Sequence, residues 1–134
     1  MRLSVTSAVL DASALLAVMN AEPGADVVRA SLVGAFISAV NYSEVLKKTL
    51  ERSVAVERLH ALVKSASLDI IPFETSLAAI SAELFLPTKE YGLSFADRAC
   101  LALGLQKHAT VITADAKWKL VKVSVKVKLI RNAN

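Results

Sequence analysis

The sequence has little cysteine, histidine, glycine or proline, and each shortage removes a class of site. Cys100 is the only cysteine, so there is no intrachain disulfide and no thiolate cluster for zinc or an iron–sulfur centre. His60 and His108 stand far apart, without the spacing of paired metal ligands. The glycines form no glycine-rich strand-to-helix turn for a dinucleotide. A metal ion bound here would therefore have oxygen ligands.

A long uncharged run is also missing, although 54% of the residues are apolar. The longest stretch without a charge is residues 30–43, which is shorter than the ~20 residues of a membrane-spanning helix. A signal peptide is not expected, because Asp11 interrupts the first apolar run and no clean small-residue cleavage site follows it. We therefore expect no membrane segment and a cytoplasmic location.

Acidic residues are absent after Asp115, where six basic residues follow in a chain of net charge +4. They are Lys117, Lys119, Lys122, Lys126, Lys128 and Arg131. Such a basic segment indicates a polyanionic partner. The alternative is an edge strand whose lysines prevent aggregation.

Short apolar runs alternate with helical patterns along the 134 residues, with no repeat or linker, so we expect a single domain over residues 1–134. The predicted strands are residues 4–10, 35–40, 68–72, 110–113 and 123–130. The predicted helices are residues 12–19, 25–32, 41–52, 54–65, 75–86 and 94–107. Strands separated by helices predict an α/β protein with a parallel sheet covered by helices on both faces.

Four acids occupy positions that such a fold would bring together. Asp11 and Asp115 follow the first and fourth predicted strands, while Glu44 and Asp97 lie in the first turns of two predicted helices. Each also has a simpler explanation, because Asp11 or Asp115 could cap a helix or turn. Likewise, Asn41 with Glu44, and Ser94 with Asp97, have the spacing of a capping box.

Taken together, the four acids predict a metal site. Carboxylates that converge repel one another and raise one another's pKa unless a cation neutralises them. Magnesium or manganese (Mg²⁺ or Mn²⁺) suits oxygen ligands and leaves positions for water and phosphate. Ser13 and Thr113 carry hydroxyls two residues from Asp11 and Asp115, where they could orient a carboxylate or make ordinary turn hydrogen bonds.

These segments resemble the four motifs of PIN domains, and most closely those of VapC-type toxins. The matching segments are VLDASALLAV, NYSEVLKK, LSFADRACLALGLQ and VITADAKW. The resemblance implies a three-layer α/β/α PIN-like fold with about five parallel strands, Mg²⁺- or Mn²⁺-dependent RNA cleavage, and a cognate antitoxin. It assigns the catalytic and metal-binding roles to Asp11, Glu44, Asp97 and Asp115, with supporting roles for Ser13 and Thr113.

One departure concerns the segment after Asp115, where some relatives carry a further acid and this chain has Ala116, Lys117 and Trp118. Binding of a second metal ion therefore stays open. The alternatives are a stand-alone RNA-processing nuclease, or a non-catalytic PIN-fold module that binds RNA or protein. Trp118, Tyr42 and Tyr91 are candidates for stacking on bases. Trp118, which is flanked by lysines, could equally be a packed turn residue.

The high content of apolar residues indicates that the protein binds other protein chains. A small domain with only 21% charged residues is expected to expose apolar surface. We expect a homodimer, the assembly that buries a self-complementary patch, which the resemblance also implies. A second apolar groove is expected to receive a helical antitoxin segment whose basic residue reaches the four carboxylates.

Overall fold

The central feature of the computed structural model, which describes residues 7–132, is a five-stranded sheet. The strands are β1 (Ala8–Leu10), β2 (Phe36–Ser38), β3 (Asp69–Ile71), β4 (Thr110–Thr113) and β5 (Val127–Leu129). All neighbours are parallel, in the order β3-β2-β1-β4-β5. The strand order reverses between β1 and β4. A ligand site is therefore expected beyond the carboxyl ends of these two strands.

Helices cover both faces of the sheet. They are α1 (Ala12–Met19), α2 (Ala25–Arg29), α3 (Ala39–Glu51), α4 (Val56–Ser65), α5 (Thr75–Glu83), α6 (Phe85–Thr88) and α7 (Phe95–Lys107). Short 3-10 turns occupy Lys89–Tyr91 and Ala116–Lys119. No helix within residues 7–132 is both long and apolar enough to cross a bilayer.

The alternation of side chains along the strands creates two cores. Leu10, Ile37 and Ile112 pack against α1 to α4 on one face, while Val9 and Val111 pack against α5 and α7 on the other. The three-layer α/β/α arrangement with five parallel strands is the one that the sequence predicts.

Several element boundaries differ from expectation. The second strand ends at Ser38, and α3 begins at Ala39 rather than Asn41, because the Ser38 hydroxyl accepts a hydrogen bond from the Val40 N–H at 3.2 Å. The helix predicted to stop before Pro87 ends at Glu83, and Pro87 lies inside α6. Proline is tolerated there because α6 has a single turn, whose early N–H groups have no helical partner. Residues 4–6 of the first predicted strand lie outside the described residues.

The turn between α1 and α2 is fastened to the segment that follows β5. Gly24 has φ +95°, and a Cβ there would lie 2.5 Å from the Ile130 carbonyl oxygen. The Arg131 guanidinium donates hydrogen bonds to Glu22 at 3.2 Å and to the Pro23 carbonyl at 2.9 Å. These contacts hold the residues that directly follow the edge strand β5 against the turn before α2.

Candidate active site

Asp11 directly follows β1 and is a buried carboxylate, with 7% of its surface exposed. Its Oδ2 accepts hydrogen bonds from the Ser13 hydroxyl at 2.8 Å and the Thr113 hydroxyl at 2.9 Å. Although Asp11 is the residue before α1, its side chain makes no capping hydrogen bond. The side chain therefore makes no ordinary helix cap, although the Ala12 N–H at the start of α1 lies near enough to lower the pKa of the carboxyl.

The pKa of Asp11 rises to about 6, because burial removes solvent from the charged form and the nearby Asp97 carboxylate repels it. The hydrogen bonds from Ser13 and Thr113 act in the opposite direction and lower the pKa. Asp11 is still largely ionised at neutral pH. A cation beside it would relieve the cost of this buried charge.

Ser13 and Thr113 connect the start of α1 to the end of β4. The Ser13 hydroxyl accepts from the Ala114 N–H at 3.0 Å, and the Thr113 hydroxyl accepts from the Asp115 N–H at 3.1 Å. Both hydroxyls thus hold Asp11. Thr113 also makes a local turn hydrogen bond, whereas the second bond of Ser13 reaches Ala114, far away in the sequence. Through Thr113, the main chain at Asp115 is fixed relative to Asp11.

Asp115 begins the 3-10 turn that follows β4. Its Oδ1 accepts from the Lys117 N–H at 3.0 Å, and its Oδ2 lies 3.8 Å from the Lys117 ammonium nitrogen. The capping bond expected from the sequence is therefore present. The carboxylate remains partly exposed, with 35% of its side-chain surface accessible.

Asp97 lies in the first turn of α7, in a complete capping box. Its Oδ2 accepts from the Ser94 N–H at 2.9 Å, while the Ser94 hydroxyl accepts from the Asp97 N–H at 3.2 Å. Because Asp97 raises the pKa of Asp11, its carboxylate lies within electrostatic range of that buried group. Asp97 thus has a structural role at this site in addition to its negative charge.

Glu44 projects from α3 beside Asn41, which is fully buried. The Asn41 amide donates to Glu44 Oε1 at 3.3 Å and to the Ala96 carbonyl at 3.0 Å. Asn41 is therefore not the helix cap predicted from the sequence, but a link between α3 and the start of α7. Its Oδ1 is buried and has no hydrogen-bond partner among the described residues.

The pKa of the buried Cys100 thiol responds to three of the four candidate acids. Burial raises the pKa of its thiol well above the usual value, and the charges of Asp11, Asp97 and Glu44 raise it further. The charges of these three acids therefore all act on Cys100, and Asp115 is linked to Asp11 through Thr113. As placed, however, residues 7–132 contain no group of three or more Asp, Glu, His or Cys side chains close enough to share one metal ion.

The aromatic residues near this site differ from the expected ones. Trp118 is 1% exposed and belongs to the core, so it is not free to stack on a base. Tyr42 and Tyr91 are partly buried against the two cores. Phe95, two residues before Asp97, is instead 50% exposed. Its position between a helix cap and a candidate ligand was the sequence signal that could have indicated it.

Comparisons with known proteins agree with this architecture. A sequence profile described as the PIN domain matches residues 8–124, while no curated protein sequence matches the chain. Among solved structures, a toxin–antitoxin complex from Klebsiella pneumoniae is similar with TM-score 0.76 and 22% identity, over 95% of this chain and all of that one.

Two further structures have TM-scores of 0.70. VapBC2 from Rickettsia felis, bound to a DNA fragment from its promoter, is 19% identical over 91% of this chain and 97% of that one. VapC20 from Mycobacterium tuberculosis, a toxin that cleaves the sarcin–ricin loop, is 20% identical over 90% of this chain and 99% of that one. At these identities the likeness is one of fold. Because the PIN-domain profile covers most of the chain and all four candidate acids, the protein belongs to the PIN-domain family.

Proposed function

We propose that this PIN-domain protein is a Mg²⁺- or Mn²⁺-dependent endoribonuclease and the toxin of a toxin–antitoxin pair. The observation that carries the proposal is Asp11, a buried carboxylate held by two hydroxyls and close to Asp97. Burying a charge in this way is costly, and the two hydroxyls that hold Asp11 do not neutralise its charge. A cytoplasmic location would give such an enzyme access to RNA.

The side chains present fit a divalent cation in their chemistry. Asp11 forms no ion pair with a lysine or arginine among residues 7–132, and Asn41 Oδ1 is a buried acceptor without a partner. Asp11, Asp97 and Asp115 would bind the ion directly, with Glu44 acting through water or as a base. Binding would have to bring these carboxylates closer together, because no three of them within residues 7–132 are close enough to share one ion as placed.

The residues of this chain would divide the work of hydrolysis among them. A bound divalent ion supplies charge neutralisation at the scissile phosphate and makes water more acidic. Ser13 and Thr113 hold the Asp11 carboxylate in one orientation. Glu44, which accepts a hydrogen bond from Asn41, would hold the ion through water or accept the proton of an attacking water. Attack by water rather than by the ribose hydroxyl leaves a 5′-phosphate and a 3′-hydroxyl.

Support for RNA as the substrate comes from the basic residues after Asp115. Lys122, Lys126 and Lys128 take part in no ion pair within the described part of the chain, so their charges are available to phosphates. VapC20, which has a similar fold, is described as cleaving the sarcin–ricin loop. Sequencing of cleaved ends after expression in cells would identify the RNA.

The direct test is cleavage of single-stranded RNA by the purified protein, with identification of the new ends. We expect cleavage with Mg²⁺ or Mn²⁺, none with EDTA or with Asp115→Asn, and products bearing 5′-phosphates. Products with 2′,3′-cyclic phosphates would contradict attack by water. Binding of RNA without cleavage under either ion would favour the non-catalytic alternative.

We further propose a homodimer and an antitoxin partner. Val33, Leu50 and Leu120 are each at least 60% exposed, which is consistent with apolar surface left for other chains. The structures of similar fold include a toxin–antitoxin complex and VapBC2. Mass measurement in solution is expected to give a dimer, and a larger complex after co-expression with the protein encoded beside it. A monomer at micromolar concentration that no neighbouring gene product binds would contradict both expectations.

A further inference from the structure

A half-exposed aromatic ring lies at the start of α7, beside the candidate acids. Phe95 is 50% exposed, and Phe73, which follows β3, packs against it edge to face with ring centroids 5.4 Å apart and an angle of 86°. This geometry fixes the ring of Phe95 while part of it remains in solvent. Half-exposed aromatic side chains with a fixed orientation are suited to stacking.

The Phe95 ring lies at the same edge of the sheet as the candidate acids Asp11 and Asp97. Phe73 follows the carboxyl end of β3 and Asp11 follows that of β1, with β2 between them, so about 10 Å separates the two strands. Asp97 is two residues after Phe95. The carbonyl of the intervening Ala96 accepts a hydrogen bond from the Asn41 amide. The Phe95 ring, packed on Phe73, therefore lies on the β3 side of Asp11.

A positive charge lies on the same side of α7. Arg98 is one helical turn after Phe95, and its guanidinium carbon lies 5.5 Å from the ring centroid of Phe85. Hydrogen bonds to the Ser81 carbonyl at 3.3 Å and the Leu93 carbonyl at 3.5 Å hold the guanidinium in place. Aromatic rings accompanied by cations are the combination with which proteins bind single-stranded nucleic acid.

We propose that Phe95 stacks on an unpaired RNA base next to the cleaved bond, with Phe73 fixing the ring and Arg98 attracting the adjacent phosphate. This inference rests on the proposed ribonuclease function and deepens it. Bases in a duplex are already stacked on their neighbours, so the platform selects single-stranded RNA or loops. Because every base has a flat face, Phe95 favours unpaired nucleotides over any particular sequence.

The test is a double-mutant cycle between protein and RNA, measured by fluorescence anisotropy with Asp115→Asn protein to prevent cleavage. Short single-stranded RNAs each carry one abasic position, moved stepwise along the strand. Phe95→Leu is expected to weaken binding of the intact strand about 10-fold, within the range of a single base–aromatic stack. At one position, loss of the base should weaken binding by the Phe95 protein but not by Phe95→Leu.

Matched variants separate stacking from folding. Val33→Ala trims an apolar side chain that is 80% exposed, before the start of β2 and away from Phe95 and Arg98, and is expected to leave affinity unchanged. Phe95→Tyr keeps an aromatic face and should retain binding. Equal losses of affinity for duplex, abasic and intact RNA would overturn the proposal. A loss of affinity in Phe95→Leu that is explained by a changed oligomeric mass would overturn it as well.

The nuclease proposal and the stacking proposal can fail separately. Cleavage by the wild-type protein together with unchanged RNA affinity of Phe95→Leu would overturn stacking alone. A position-specific loss of affinity in Phe95→Leu, with no cleavage by the wild-type protein in Mg²⁺ or Mn²⁺, would overturn the nuclease alone.

Discussion

Replacing Asp11 by asparagine is expected to reduce RNA cleavage on the order of a thousandfold, comparable with removing a principal electrostatic group from an active site. The asparagine oxygen can still accept hydrogen bonds from Ser13 and Thr113, so the main effect is loss of the negative charge. The measurement is kcat/KM at saturating Mg²⁺ or Mn²⁺. Activity within a few-fold of wild type would remove Asp11 from the proposed site.

The same variant should be more stable than the wild type without metal at pH 7. Burial raises the pKa of Asp11 from 3.8 to about 6, so the folded protein binds the proton more tightly than the unfolded chain. The resulting stability is present below pH 3.8 and is lost as the pH rises through 6. Above that pH the ionised group costs up to about 3 kcal/mol, which asparagine does not.

Urea unfolding in EDTA between pH 4 and pH 7.5 measures this effect. The stability of Asp11→Asn relative to wild type should increase across that interval, reaching about 1 to 3 kcal/mol near neutrality. Asp69→Asn, at an exposed acid on β3, serves as the control for simple loss of charge. An Asp11→Asn protein that is less stable at pH 7 would show that the carboxylate contributes to the fold.

Replacing Asp97 by asparagine should also abolish most cleavage, on the order of a thousandfold, while the protein stays folded. Asparagine can accept the hydrogen bond from the Ser94 N–H, so much of the capping box is retained. The change therefore tests the charge of Asp97 rather than its structural role.

Ser94→Ala is the matched control, because it removes the hydroxyl that accepts from the Asp97 N–H and leaves the acid in place. It should lower the free energy of unfolding by about 1 kcal/mol and retain most of the activity. Thermal unfolding and kcat/KM measured on both variants give the comparison. Equal activity losses in the two variants would mean that Asp97 acts by capping α7.

The sequence was informative wherever local pattern and topology agree. Apolar runs separated by helical segments predict parallel strands, and the acids that follow two of those strands, Asp11 and Asp115, therefore lie at one edge of the sheet. Asp97 was predicted as half of a capping box and is one. In these places the nearest neighbours along the chain determine the structure.

Prediction failed where a distant contact decides the outcome. Ser38 and Asn41 are both good helix caps, and Asn41 is buried because it donates to the Ala96 carbonyl, 55 residues away. Trp118 lies between lysines, yet it packs into the core that contains Leu101 and Leu103. The exposure of Phe95 likewise depends on Phe73 beyond β3. The contact of Asn41 has no local signature, and the packing of Trp118 was one of two alternatives that the sequence left open. Phe95 did have a local signal, its place between a helix cap and a candidate ligand.

The pairing of β1 with β4 has a consequence for when the protein becomes active. Asp11 receives its Thr113 hydrogen bond across 102 residues of sequence, and Ser13 bonds to Ala114 across 101. Such non-local pairing makes folding slow. A long loop must close, with a loss of chain entropy, before the new contacts can offset that loss. A nascent chain still lacking residue 113 holds Asp11 only through Ser13. Catalytic competence would therefore arise in a late folding step, when β4 inserts beside β1.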